Sequence, residues 1–158
     1  MANHIHIFCA SPEQLSMRSV GQYMATIGLL DGVPTFDPPL ESAEALDPLW
    51  VHLSVTYQAG KRPIQLHRMF EPEDMAPALQ DALTMLDDHG LASQHPEIVQ
   101  AIQATRQIFH FELGLELPDD CWEMLDALEA HIAKSLKGLV FTSEGFYDAE
   151  LEPICMFG

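Results

Sequence analysis

Positive charge is scarce in this chain. Lysine and arginine number 7 against 24 aspartates and glutamates, for a formal charge of -17. A surface so acidic repels phosphate backbones and anionic lipid headgroups, so neither nucleic acid nor a membrane is expected as a partner. Cysteine is rarer still. Cys9, Cys121 and Cys155 are an odd set with no short pairing motif, which reads as reduced thiols in a cytoplasmic protein. No apolar run approaches the ~20 residues that span a bilayer. Met1-Ala2-Asn3-His4 lacks the basic region and apolar run of a secretory leader. Also missing are a glycine-rich phosphate loop, a dinucleotide fingerprint, a His-Glu-x-x-His pair and a Gly-x-Ser-x-Gly elbow. Nucleotide-dependent and serine-hydrolase chemistry are therefore not expected.

What the chain does have is enough oil to fold. Hydrophobic residues make up 47% of 158 positions, which suits one α+β domain over residues 1–158. His4 to Ala10 alternates as a strand. Ser11-Pro12-Glu13-Gln14 has the form of a capping box ahead of Met17, Val20, Met24 and Ile27 at helical spacing. Residues 31–48, rich in proline and acid, read as a long loop with one helical turn near Ser42 to Leu46, either a lid or a plain crossover. Trp50 to Tyr57 and Pro63 to Phe70 form a hairpin around Ala59-Gly60-Lys61-Arg62, with Val51, Leu53, Val55 and Tyr57 facing inward. Helices are expected from Glu71 to His89, well formed only after Pro77, and from Pro96 to Thr105. Gln107 to Leu113 is a further strand. Pro118 to Lys137 carries the stripe Cys121, Leu125, Leu128, Ile132 and Leu136, with Gly138 as its stop. Leu139 to Thr142 is a short strand, and the tail after Gly145 is too apolar to be free.

The order begins β-α-β-β-α, which suggests a ferredoxin-like β-α-β-β-α-β sheet, mainly antiparallel, with helices on one face and an extra C-terminal helix and strand. In that arrangement the first strand lies between the strands carrying His67 and His110.

Histidine carries the functional signal. His4 and His6, His52, His67, and His110 with Glu112 occupy the outward phase of successive strands. Alternate residues of a strand share a face, so these side chains are expected to line an open surface behind which the apolar residues gather. His4, His6, His67, His110 and Glu112 are the candidate ligands for a divalent transition metal such as zinc, in a binding or metal-dependent catalytic site. The same cluster without metal could respond to pH. Neighbouring imidazoles disfavour each other's protonation and Glu112 favours it, so the sequence gives no net direction. Cys121 near a helix start and Cys9 at a strand end are the thiols positioned for reactivity, but both fall in the inward phase. Asp87-Asp88-His89 could bind a cation but falls at a helix end, where His89 complements the dipole; Asp119-Asp120 and Glu123-Asp126 read as a solvated helix face with favourable N-terminal charge.

The leading expectation is a non-catalytic, partner-binding protein of inhibitor or adaptor type. It would use the histidine-lined face or the acidic surface to meet a protein with a basic surface, or a second copy as a homodimer. The alternative is the metal site.

Overall fold

Eight strands hydrogen-bond into one sheet whose neighbours are all antiparallel. The computed structural model describes residues 3–27, 32, 34–114 and 116–157. Along the chain these are β1 (Asn3–Cys9), α1 (Met17–Thr26), β2 (Thr35–Asp37), β3 (His52–Thr56), β4 (Ile64–Met69), α2 (Pro72–Asp88), α3 (Pro96–Gln103), β5 (Gln107–Leu113), α4 (Asp119–Leu136), β6 (Gly138–Thr142), β7 (Gly145–Tyr147) and β8 (Pro153–Met156). No helix among the described residues is long and apolar enough to cross a membrane.

The α+β class and the antiparallel sheet agree with the sequence reading; the ferredoxin-like order does not. The strands run β2-β3-β4-β5-β1-β6-β7-β8, so β5 lies between β4 and β1 and takes the central place expected for β1. Direction parity explains the exchange. A single helix between two strands makes them parallel, whereas two helices return the chain to the end it left. The pair α2 and α3 therefore leaves β5 antiparallel to β4, and the two strands pair directly. The edge strand β2, which lies inside the expected 31–48 loop, adds one further reversal before β3. Residues 31 and 33 of that loop lie outside the described residues. Its helical turn is present as a 3-10 turn at Ala43–Leu46.

Helices also cover both sheet faces, not one. Ile5, Ile7, Leu53, Val55, Leu66, Phe109, Phe111 and Val140 pack with residues of α1 and α4. On the opposite face Phe8, Ile108, Leu139 and Phe141 pack with Met75, Ala82 and Leu86 of α2 and with Ile98 and Ile102 of α3. The local cause is visible in the runs Ile7-Phe8-Cys9, Ile108-Phe109 and Leu139-Val140-Phe141, where consecutive residues are buried and alternation stops. The second helical layer reaches only this end of the face. The other end, where alternation persists, stays open.

Several local expectations shift. Ser11 does not cap a helix. Residues 11–14 are held outside helical geometry by Gln107, whose amide donates to the Ser11 and Glu13 carbonyls at 2.8 Å each. Ser16 is the cap instead, its hydroxyl accepting from the Ser19 N–H at 3.0 Å. Pro77 sits inside a helix already formed from Pro72. Val51 is exposed, one residue before β3, although its carbonyl already accepts from the Arg68 N–H of β4 at 2.9 Å. At the end of α4 the left-handed residue is Lys137 (φ 55°), not Gly138. Gly138 serves close approach: a Cβ there would lie 2.7 Å from Ile7 Cγ2 and 2.9 Å from Ala133 Cα.

Candidate functional site: an open histidine row

Antiparallel register stacks the histidines in line. His52 stands opposite His67, His67 opposite His110, and His110 opposite His6, so a row of imidazoles crosses β3, β4, β5 and β1. Ring centroids along it are 5.0, 5.6 and 4.3 Å apart. The His6 and His110 rings are nearly parallel, 5° between planes. The row runs on into Phe141, opposite His6, where α2 and α3 begin to cover the sheet. Beside it lies a second row, Asp37, Ser54, Gln65, Glu112 and His4, set by the same pairings.

The two rows are laced together. His4 Nδ1 and His110 Nε2 are 2.8 Å apart, one ring donating and the other accepting. The His52 ring pairs with Gln65 Oε1, and the Gln65 amide donates to Ser54 Oγ at 3.3 Å. Arg62 donates to Glu112 Oε1 at 3.2 Å, while His67 Nε2 lies 3.8 Å from Glu112 Oε2. The sequence expectation that imidazoles from separate strands share one surface agrees with this geometry.

Burial, and after it proximity, disfavours protonation of three of these rings. Burial holds His6 down to about 4, with His4 adding repulsion. His110, central in the row, is lowered to about 3 by burial and then by His6, His4 and His67; Glu112 opposes this and loses. His67 is lowered by burial and His52, again against Glu112. The competition that the sequence left undecided thus falls to the neutral form for these three rings. Near pH 7 their part of the face is an uncharged aromatic surface that accepts and donates hydrogen bonds, with the Glu112 and Asp37 side chains in the row beside it.

His4, His6, His67, His110 and Glu112 are therefore brought together, but as stacked rings. Among the described residues no three His, Cys, Asp or Glu side chains form a group that could hold a metal ion. Stacking turns the ring faces toward one another, whereas coordination needs nitrogens aimed at one point. The thiols lie elsewhere. Cys9, Cys121 and Cys155 are free and buried, and burial pushes Cys9 up to about 12 and Cys121 to about 11.

Two charged residues escaped the sequence reading. Arg68, 3% exposed, donates to Gln107 Oε1 at 3.1 Å, Gln14 Oε1 at 2.8 Å and the Pro48 and Trp50 carbonyls at 2.9 and 3.1 Å. It follows Ile64 and Leu66 in the inward phase, which was the available signal. Glu129, also 3% exposed, sits four residues after Leu125 on the apolar stripe of α4. Burial and then Asp126 raise its carboxyl to about 8.

Comparison with protein-family models, with curated proteins and with solved structures finds no match to this chain.

Proposed function

We propose that this is a non-catalytic binding protein of inhibitor or adaptor type, whose recognition surface is the open histidine-lined part of the sheet and whose partner is a protein with a basic surface. The observation that carries the reading is the unbroken imidazole row His52–His67–His110–His6 on the part of the face that α2 and α3 leave uncovered. A solvated sheet face has no need of four aromatic rings in register. Such rings supply the rigid, amphipathic contact area on which interfaces rely. The charge of -17 complements a basic partner and would steer its approach. It opposes a second copy on the same face, which is the competing occupant.

The test is titration of labelled protein with a panel of small basic proteins, read on the histidine ring resonances at low and physiological salt, with sedimentation velocity of the protein alone beside it. The reading expects a saturable complex that perturbs His52, His67 and His110 and is abolished by Glu112→Lys. It fails if every member binds diffusely and is released at physiological salt. Self-association abolished by the same variant would assign the face to a homodimer instead.

The second reading is a site for zinc or a similar divalent metal, favoured by one observation: His4, His6, His67, His110 and Glu112 fall on adjoining positions of one sheet face. An ion there would need the His4–His110 hydrogen bond to open and the side chains to turn toward one point. Stoichiometric metal in untagged protein, lost in His6→Ala, would support it. No bound ion and no stabilisation by added zinc or nickel would end it.

A further inference from the structure

On the other side of the sheet, where Ile5 and Val140 face α4, a cavity of about 490 Å³ opens between α4 and β7. Glu129 lines it, and Glu129 Oε2 is the one buried side-chain oxygen without a hydrogen-bond partner among the described residues. A buried carboxyl oxygen left unpaired is costly, and most folds supply a partner. Asp126, one turn earlier on α4, and Glu144, in the turn between β6 and β7, line the same cavity. Glu144 is tied to the Tyr147 hydroxyl at 3.5 Å. Trp122 and Tyr147 contribute aromatic rings to the lining. No lysine or arginine lines it among the described residues; the titratable groups around Glu129 are Asp126 on α4, Tyr147 on β7, Glu144 in the turn and His4 on β1.

Three carboxyls and two aromatic rings in a cavity of this size make a receptor for a compact organic cation. Carboxylates satisfy the N–H donors, and ring faces attract the charge. We propose that this cavity binds an aliphatic primary ammonium group, with Glu129 as the counter-ion at its base and Asp126 and Glu144 at its mouth. A primary ammonium fits better than a guanidinium because its charge and donors sit on one compact nitrogen that can reach a buried carboxyl, with no planar fork to seat.

Occupancy would carry a proton signature. Burial, and then Asp126, keeps Glu129 neutral near pH 7, holding its carboxyl up to about 8. An arriving cation favours the ionised form, so binding expels a proton. Affinity should then rise about tenfold per pH unit from 6 to 8 and level off above, with about one proton released per amine at pH 7.

The experiment is calorimetric titration of the full chain with 1,4-diaminobutane and, separately, with Nα-acetyl-lysine amide, at pH 6, 7 and 8 in two buffers of different ionisation heat. The expected result is saturable 1:1 binding with proton release. The tighter of the two probes identifies a free diamine or a protein lysine as the source of the ammonium. Glu129→Gln, which keeps the shape, should weaken binding at pH 8 at least tenfold and abolish the pH slope. Asp126→Asn should weaken binding and leave the slope. Failure of both probes to saturate at pH 8 overturns the proposal. So does binding that Glu129→Gln leaves unchanged, which would be attraction to the acidic surface alone. His4 borders both the cavity and the histidine row, but Glu129→Gln and Glu112→Lys act on separate groups, so this test and that of the partner-binding reading fail independently.

Discussion

Acidification should destabilise this protein through the histidine row, and the size of the effect follows from the geometry. An unfolded histidine titrates near 6.5, while in the fold His6 and His110 titrate near 4 and 3. Between those limits the unfolded chain binds protons that the native state refuses, so stability rises with pH and is lost as pH falls below 6.5. At 1.36 kcal/mol per decade, the two decades from pH 6.5 to 4.5 correspond to about 2.7 kcal/mol for each ring. His110 is partly open to solvent and the two rings are coupled, so screening reduces the pair to about 3 kcal/mol in total. Carboxylates titrate over the same range, which makes the wild-type profile alone ambiguous. The double variant His6→Phe/His110→Phe keeps the stacked rings and removes both protonation sites. Urea unfolding at pH 7, 6, 5 and 4.5 should show the wild type losing about 3 kcal/mol more than the variant. Parallel stability profiles would refute the claim that neutral imidazoles hold this face together.

Other expectations concern the frame around the site. Arg68→Met should cost about 3 kcal/mol or more in urea unfolding, because Gln107 Oε1 and the Pro48 and Trp50 carbonyls lose their donor inside the fold. Gly138→Ala should lower the calorimetric Tm, at a cost of about 2 kcal/mol, since the new methyl meets Ala133 Cα at 2.9 Å and backbone cannot rotate away. The three cysteines should resist an aromatic disulfide reagent at pH 8 in native protein and react together on unfolding, because all are buried and burial raises each thiol. Fast reaction of one thiol in native protein would show that burial does not protect it.

The histidine row was legible because a period of two is hard to misread. His4, His6, His52, His67 and His110 each sit in the polar phase of a strand, and any antiparallel pairing that buries the apolar phase must gather them. The order of the strands was not legible by the same rule. It depends on how many times the chain reverses, and the three-residue β2 inside a proline-rich stretch is too short to announce itself. The second helical layer left a trace in Ile7-Phe8-Cys9, where two-sided burial replaces alternation. Glu129 was hidden for a different reason: acids were expected on solvated helix surface, and only its phase with Leu125 and Ile132 marks it as inward.

Both flanks of the sheet end in very short strands. β2 contributes three residues and is followed directly by Pro38-Pro39; β8 contributes four and opens on Pro153. Proline has no amide hydrogen to offer a newcomer, and so few residues give a foreign strand little ladder to extend. Copies of this protein are therefore poorly equipped to zip side by side into a continuous ribbon. The rims of the sheet thus offer another chain far less to pair with than its broad surface does.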